Sequence, residues 1–270
     1  MSNRNRPIGL FDSGLGGLTV AKQILSLLPN EEIIYLGDMA RFPYGNRSPE
    51  IIRKFSSEAA NFLHRHKVKM IIVACNTVSS VNIDWLKRKF PIPVVGVIRP
   101  GVRMALEVSR NKRVGVIGTA ATIDSKAVPR AVHRINPKVK VFAAACPMLV
   151  LLAEEGSHSE KAALSIARHY LIPLKLKRID TLVLACTHYP LILNLIKRVL
   201  GPSVKVIDPA DGVAIQTRMI LKRDNLLRDS KKRPRHKFYV TDHPERLTKA
   251  ARRLIKNSKI TAKRVSLNHT

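Results

Sequence analysis

The sequence predicts an α/β protein in which mainly parallel sheets are covered by helices on both faces. Short runs of valine, isoleucine and leucine alternate with helical stretches over nearly all of the 270 residues. These runs lack polar alternation, which is typical of strands that are buried on both faces of a parallel sheet. The chain is long enough for one large domain or for two modest domains with substantial cores.

Nine apolar segments are predicted as buried strands, at 7–11, 31–37, 68–75, 91–98, 113–118, 138–145, 180–186, 203–208 and 236–241. Helical patterns lie between them. In the segment 48–66, Ser48 is suited to cap a helix and Pro49 suits its first turn. These patterns predict the elements but leave the order of the strands in the sheet open.

A weak internal duplication suggests how the chain is organised. The segment KMIIVACNT (69–77) and the segment DTLVLACTH (180–188) are both strands that end in Ala-Cys before a polar pair. Sites in parallel α/β sheets form at the carboxyl ends of strands. Cys75 and Cys186, 111 positions apart, could therefore face each other across a cleft.

The net charge is unusual, because 48 Lys and Arg residues oppose 19 Asp and Glu residues, giving +29. Such a field attracts nucleic acid or anionic surfaces without specificity and also steers an acidic substrate. A host whose proteins are generally basic explains the charge equally well. The basic tail from about Arg218 contains strand-like and helix-like patterns, so we expect it to be folded with a basic solvated face.

Several classes of protein are disfavoured by simple features. No apolar run is long enough to span a bilayer, and the basic start lacks the apolar core of a signal peptide, so we expect a cytoplasmic enzyme. Three cysteines without CxxC or Cys/His spacing predict neither a disulfide framework nor a metal site. No nucleic-acid-binding motif is present and aromatic residues make up only 5%, so nucleic acid is expected at most as a non-specific partner.

The segment Asp12-Ser13-Gly14-Leu15-Gly16-Gly17 forms a glycine-rich turn between a strand and a helix. Such a turn exposes backbone N–H groups at a helix N-terminus, where a carboxylate or phosphate can bind. The motif is neither a P-loop nor a dinucleotide-binding GxGxxG. An acid at the strand end suits a substrate amino group, although a tight turn with Asp12 as a helix cap explains the pattern equally well.

The segments Cys75-Asn76-Thr77 and Cys186-Thr187-His188 could carry chemistry. Their amide and hydroxyl groups can hold a carboxylate or orient a thiol. In an extended segment Cys186 and His188 would lie on one side, and an imidazole favours the thiolate. Either cysteine alone could be an inert buried residue.

Two thiols across a cleft can invert a carbon centre. One thiolate removes a proton from the carbon while the other thiol delivers a proton to the opposite face, which requires neither a metal nor pyridoxal phosphate. A cysteine protease needs only one cysteine with one histidine and an oxyanion hole. That alternative leaves the duplication and Asp12 unexplained.

These motifs resemble those of the glutamate racemases, in the aspartate/glutamate racemase superfamily, along almost the whole chain. The resemblance is carried by IGLFDSGLGGLTV (8–20), YLGDMARFPYGNRS (35–48), IIVACNTVS (71–79), VVGVIRPG (94–101), VGVIGTAATIDS (114–125), CPMLVLLAEEG (146–156) and LACTHYPLI (184–192). It implies cofactor-independent, two-base racemisation of L- and D-glutamate, which supplies D-glutamate for peptidoglycan. Racemisation of aspartate or another amino acid, and nucleic-acid or gyrase binding as a secondary role, are the alternatives.

The resemblance also implies an architecture. It predicts two similar α/β domains with the active site in the cleft between them, residues 1–97 plus 208–270 forming the first and 98–207 an inserted second. A homodimer is expected. Arg99 stands where the family usually has an acid, and IDPADG (207–212) differs from the commoner sequence; neither matches a catalytic position.

Site residues carry over from the family by position. Cys75 would act on D-glutamate and Cys186 on L-glutamate, with Asp12 and His188 assisting the thiols or engaging the amino group. Glu154 would act near Cys186, with its neighbour Glu155 as the alternative. Substrate-binding positions are matched by Asp12, Ser13, Tyr44, Gly45, Asn76, Thr77, Thr187 and His188, and more weakly by Thr119 and Thr122, which could instead cap a helix. Cys146 belongs to a structural segment.

Overall fold

The computed structural model describes residues 3–155 and 159–267. It confirms the predicted α/β class, because every pair of neighbouring strands described is parallel and helices flank both sheets. The first sheet has the strand order β10-β9-β2-β1-β3-β4 and the second has the order β6-β5-β7-β8.

The strands of the first sheet are β1 (Ile8–Asp12), β2 (Ile33–Gly37), β3 (Met70–Val73), β4 (Val94–Gly96), β9 (Lys237–Val240) and β10 (Ala262–Arg264). Those of the second are β5 (Arg113–Gly118), β6 (Lys140–Ala145), β7 (Thr181–Ala185) and β8 (Lys205–Ile207). All nine predicted strands are present, most of them shorter than their apolar segments. Strand β10 was not predicted.

The α-helices in the described ranges are α1 (Leu18–Leu27), α2 (Pro49–Arg65), α3 (Asn76–Val81), α4 (Ile83–Lys89), α5 (Ile98–Val108), α6 (Ala120–Asp124), α7 (Ala127–Ile135), α8 (Pro147–Glu155), α9 (Glu160–Leu176), α10 (Leu193–Leu200), α11 (Pro209–Arg223) and α12 (Pro244–Ile255). Ser48 caps α2 as predicted, since its hydroxyl accepts the N–H of Ile51 at 3.4 Å, and Pro49 is the first helical residue. The basic tail folds into β9, α12 and β10.

The chain passes between the sheets twice, through α5 after β4 and through α11 after β8. These two helices pack against each other, and α11 also packs against α1. Their buried apolar side chains join a core that includes residues of both sheets, among them Leu10 and Val116. The domain boundaries implied by the resemblance stay a prediction.

The carboxyl ends of the central strands carry the motif residues. Asp12 is the last residue of β1, and Cys75 lies two residues beyond β3. In the second sheet Thr119 directly follows β5 and Cys186 directly follows β7. No helix in the described ranges is long and apolar enough to cross a membrane.

Candidate active site

A small cavity of about 20 Å³ lies where the strand ends of the two sheets face each other. It is lined by Ser13, Phe42, Pro43, Tyr44, Gly45, Cys75, Asn76, Thr77, Thr119, Val150, Cys186, Thr187 and His188. The structure thus brings both thiols to one cavity, although they belong to different sheets. Larger surface depressions exist, including one of about 1320 Å³ beside Arg110 and Asp180, but that one contains none of the motif residues.

Asp12 lies behind the lining, fully buried. Its Oδ2 accepts the backbone N–H of Gly17 at 3.0 Å and that of Gly14 at 3.2 Å, so Asp12 holds the tight turn, whereas the N-cap residue of α1 is Gly17. The Thr187 hydroxyl donates to Oδ1 at 3.4 Å, which links the two sheets. Burial raises the pKa of Asp12, and the nearby positive charge of His188 opposes this effect.

The glycines of the 12–17 loop permit a close approach to the second sheet. A Cβ atom on Gly16 would lie 2.4 Å from Oγ1 of Thr187 and 2.9 Å from the His188 ring, closer than real Cβ atoms come. The Tyr35 hydroxyl fixes the same loop by donating to the carbonyl of Gly14 at 2.7 Å. Only a residue without a side chain therefore fits at position 16 without displacing the segment after Cys186.

Cys75 occupies the N-cap position of α3. Its thiol donates to the Ser13 hydroxyl, with a sulfur–oxygen distance of 3.6 Å. Burial raises the pKa of Cys75 to about 12, and the negative charge of Asp12 adds to the effect. The Cys75 side chain is therefore a neutral thiol at physiological pH.

Cys186, His188 and Glu154 form a hydrogen-bonded chain. The Cys186 sulfur lies 3.8 Å from His188 Nδ1, and His188 Nε2 lies 2.7 Å from Glu154 Oε1. Burial alone would lower the pKa of His188, but the hydrogen bonds to Cys186 and Glu154 outweigh it and raise this pKa to about 10. The ring is thus an imidazolium held between the Cys186 sulfur and the Glu154 carboxylate.

The structure shows the backbone conformation between Cys186 and His188 and which of the two adjacent acids contacts His188. The segment from Cys186 to His188 is not extended but a turn closed by the Tyr189 N–H donating to the Cys186 carbonyl, so the predicted reason for their proximity was wrong. Cys186 and His188 are still in contact, because the turn brings their side chains together. Of the two adjacent acids, Glu154 bonds to His188, whereas Glu155 is exposed.

Glu154 has a lowered pKa. Burial by itself would raise that pKa, but the hydrogen bond and the charge of His188 outweigh burial, and the charge of Arg246 adds to the lowering.

Three threonines join the two sheets on another side of the cavity. The hydroxyl of Thr77 lies 2.9 Å from that of Thr119 and 3.4 Å from that of Thr122, and the latter two are 3.0 Å apart. Thr119 Oγ1 also accepts the Thr122 N–H at the start of α6, so the capping alternative is observed as well. Gly45 packs closely here, since a Cβ on it would lie 2.6 Å from the Thr119 Cβ.

Tyr44 lines the cavity but directs its hydroxyl elsewhere, to the buried carboxylate of Asp38. Asp38 also accepts hydrogen bonds from Arg41 Nε at 2.7 Å and from Thr241 at 2.9 Å. Sequence reasoning missed Asp38, although an acid at the carboxyl end of β2 carries the same signal as Asp12 at the carboxyl end of β1. It also missed the lining residues Phe42, Pro43 and Val150, which carry no chemical signature.

The third cysteine stays apart from the cavity. Cys146 is buried, its thiol donates to the Ala144 carbonyl at 3.5 Å, and burial raises its pKa to about 12. In the described part of the chain the three cysteines are free, and no group of three His, Cys, Asp or Glu side chains could hold a metal ion.

Comparisons with known proteins match both the chain and its fold. The Asp/Glu/Hydantoin racemase family model matches residues 9–217. Glutamate racemase of Geobacter metallireducens is 46% identical over 250 residues, 93% of each chain. The enzyme of Syntrophus aciditrophicus is 42% identical over 261 residues, 97% of each.

Solved structures of known proteins also match the fold of this chain. Glutamate racemase RacE1 of Bacillus anthracis has a TM-score of 0.92 at 39% identity, covering 98% of both chains. The Francisella tularensis glutamate racemase in complex with D-glutamate has a TM-score of 0.91 at 40% identity, covering 98% of this chain and 99% of that one. With this similarity over nearly its full length, the chain belongs to the glutamate racemases, amino-acid isomerases of the Asp/Glu/Hydantoin racemase family.

Proposed function

We propose that the chain interconverts L- and D-glutamate by a two-base mechanism in which Cys75 and Cys186 act on opposite faces of the α-carbon. The observation that carries the proposal is that two thiols from different sheets line one cavity in different electrostatic surroundings. Cys75 faces Ser13 and the acid Asp12, whereas Cys186 faces the His188 imidazolium. This asymmetry supplies the one thiol and one thiolate that inversion requires.

Starting from L-glutamate, the Cys186 thiolate takes the α-proton, and the electron pair of the broken C–H bond stays on the carbon. The carbanion then takes the proton of the Cys75 thiol on the opposite face, leaving a thiolate on Cys75 and a thiol on Cys186. D-glutamate runs the same steps in reverse. One thiolate accepts the proton that leaves the carbon and the other thiol supplies the proton that replaces it, so we propose that no cofactor takes part.

We assign supporting roles to the polar groups around the thiols. His188, held by Glu154, stabilises the negative charge on Cys186. Asp12 lies within reach of Thr187, and its carboxylate is suited to a substrate ammonium group. The substrate carboxylates can be held by the hydroxyl and amide groups of Ser13, Asn76, Thr77, Thr119 and Thr187. Tyr44, whose hydroxyl bonds to Asp38, and Gly45 would contribute through their backbone groups. Thr122 supports Thr77 and Thr119 from behind.

Substrate entry requires the cavity to open. A volume of about 20 Å³ holds roughly one water molecule. Pockets that bind small organic ligands have volumes on the order of several hundred Å³. We therefore propose that the strand ends of the two sheets move apart when glutamate enters and close again around it.

The proposal is tested by removing each thiol. We expect Cys75→Ala and Cys186→Ala each to abolish racemisation, measured by the change in optical rotation of L- or D-glutamate without added cofactor. Cys146→Ala is the matched control and should stay active, since this thiol lies outside the cavity lining. Normal turnover by either of the first two variants would refute the two-base assignment.

Aspartate is the alternative substrate. The two amino acids differ by one methylene, which a pocket discriminates by about 1–3 kcal/mol. Similarity to proteins named glutamate racemase favours glutamate. Side-by-side assays should give the larger kcat/KM for glutamate, and a larger value for aspartate would reverse the assignment.

We further propose that the enzyme acts in the cytoplasm as a homodimer that supplies D-glutamate for peptidoglycan synthesis. The support is the resemblance of the chain to the glutamate racemases. Growth of a D-glutamate-requiring bacterium on expression of the chain would test the cellular role, and failure to restore growth would count against it. Light scattering would test the dimer, because a mass of one chain in solution would contradict it.

A further inference from the structure

Arg246 reaches the proposed acid–base chain from a distant part of the protein. It lies on α12, which packs against α1, β9 and β10 of the first sheet. Its Nη2 atom lies 3.7 Å from Oε2 of Glu154, which is on α8 beside the second sheet. This ion pair therefore connects the helices of the two sheets at the edge of the catalytic cavity.

We propose that Arg246 is a positioning residue, which fixes the Glu154 carboxylate and through it the His188 imidazolium beside Cys186. The inference rests on the proposed roles of these three residues. Arg246 itself does not line the cavity, so it acts through Glu154 rather than on the substrate.

The geometry around Glu154 supports this role. One carboxylate oxygen is bonded to His188 and the other faces Arg246, so the group is held at both ends. Its side chain is only 9% exposed, and the 12–17 loop is close, since a Cβ on Gly14 would lie 3.7 Å from Oε1. Without Arg246 the carboxylate could rotate, and His188 would lose its fixed hydrogen-bond acceptor.

The charge of Arg246 also affects the protonation of Glu154. The charged groups that act on this carboxylate are His188 from the segment after β7 and Arg246 from α12, and the carboxylate in turn helps to raise the pKa of the Tyr35 phenol on β2. Arg246 helps to lower the pKa of Glu154, so its removal raises that pKa. Glu154 would then become neutral at a higher pH, and the imidazolium would lose its counter-ion there.

The solvent exposure of Arg246 sets the size of the change in kcat/KM that its replacement should cause. The Arg246 side chain is 48% exposed, so solvent and salt screen the ion pair. We expect Arg246→Gln to lower kcat/KM by about two- to fivefold at neutral pH and low salt, as for a half-exposed ion pair. This is far smaller than the loss expected for a residue that handles the proton.

The experiment compares Arg246→Gln, Arg246→Lys and Arg253→Gln in pH profiles of kcat/KM for both enantiomers. Arg253 is the matched control, an exposed arginine two turns along the same helix. We expect the acidic limb of Arg246→Gln to move to higher pH, Arg246→Lys to restore most of the wild-type profile, and Arg253→Gln to match the wild type. Added salt should reduce the difference between wild type and Arg246→Gln.

The outcomes separate this inference from the proposed function. Failure of the wild-type enzyme to racemise glutamate overturns the proposed function. A wild type that racemises glutamate, together with the same profile for Arg246→Gln and Arg253→Gln, overturns the role of Arg246 alone. Melting temperatures check that the variants are folded, since a change in kcat/KM that follows lost stability, without a shifted acidic limb, also overturns the positioning role.

Discussion

At the scale of single residues, the two active-site sulfurs differ through their neighbours. Burial and the negative charge of Asp12 raise the pKa of Cys75, so this thiol keeps its proton. Cys186 instead faces the ring of His188, whose pKa is raised to about 10. The proposed mechanism uses this difference, because identical thiols with identical surroundings would not favour one proton donor and one acceptor.

The raised pKa of His188 predicts an alkaline limit for activity. Its value in the folded protein, about 10, lies above the ordinary 6.5. The stabilising charge interaction is therefore fully present below about pH 6.5 and is lost as pH rises through about 10. We expect kcat to fall over that alkaline range. Activity that stays constant well above pH 10 would contradict the role of the imidazolium.

Replacing His188 tests the same interaction directly. We expect His188→Gln to lower kcat by about a hundredfold, the usual range for a residue that assists proton transfer. The exposed His169, replaced by Gln, is the control and should leave the kinetics unchanged. A variant of His188 with nearly normal kcat would show that Cys186 functions without it.

The segments 12–17, 75–77 and 186–188 could be predicted, because acids, thiols and hydroxyls at strand ends carry a recognisable chemical pattern, whereas Tyr44, Gly45 and Glu154 followed only from the resemblance to the family. Phe42, Pro43 and Val150 could not, since apolar side chains that line a cavity look like any core residue in the sequence. Arg246 could not either, because only the folded chain brings α12 to Glu154.

At the scale of elements, the turn after β1 and the turn after β7 fit closely together. Gly16→Ala would force its Cβ into Thr187 and His188. We expect kcat/KM to fall by about tenfold or more, as for small displacements of catalytic groups. Gly9→Ala in β1 is the control, because its Cβ would meet the core side chains of Val68 and Leu63, away from the cavity. Gly9→Ala should lower the melting temperature and leave kcat/KM largely unchanged. A normal kcat/KM for Gly16→Ala, together with a reduced kcat/KM for Gly9→Ala, would contradict the proposed fit of the two turns.

The buried carboxyl group at the start of α11 makes the stability of the folded protein depend on pH. Asp208 caps this helix by accepting the Ala210 N–H at 2.9 Å, and burial raises its pKa to about 6. The folded state therefore favours the neutral acid, and stability falls as pH rises through about 6. Asp208→Asn keeps the cap without the charge.

We expect Asp208→Asn to stabilise the protein by about 1 kcal/mol at pH 8 and to have little effect at pH 4. Denaturant titrations at the two pH values measure this. Asp84→Asn, which replaces an exposed acid in the first turn of α4, is the control and should change stability little at either pH. Equal effects of Asp208→Asn at both pH values would refute the argument.

Apolar runs predicted nine strands but not their order, because pairing joins segments that are far apart in the chain. The pairing of β2 with β9, about two hundred residues later, leaves no local signal. Strand β10 was missed for a different reason. It has three residues, two of them the exposed Lys263 and Arg264, and so lacks an apolar run.

At the scale of the whole molecule, two sheets supply one thiol each to a shared cavity. Crossing helices α5 and α11 join the sheets on one side, and the ion pair of Arg246 with Glu154 and the threonine cluster join them near the cavity. In the opening proposed above, these polar contacts and the packing of Phe42 against His188 would break, whereas the apolar core between α5 and α11 would stay intact.

The net charge of +29 predicts weak, non-specific binding of nucleic acid. Exposed cations on α12, including Lys249 and Arg253, contribute to this field. Fluorescence anisotropy with short DNA duplexes should show binding at low salt whose affinity falls steeply with salt and does not depend on sequence. A lack of binding even at low salt, or a strong sequence preference, would contradict this expectation.

The central claim is that two different sulfurs exchange protons with opposite faces of one carbon. Racemisation of unlabelled L-glutamate in D₂O, followed by mass spectrometry of each enantiomer at early times, tests it most directly. A two-base mechanism predicts that the D-glutamate formed carries deuterium at the α-carbon, whereas the remaining L-glutamate keeps its hydrogen. D-glutamate that retains the original hydrogen would instead mean that a single group takes and returns the same proton.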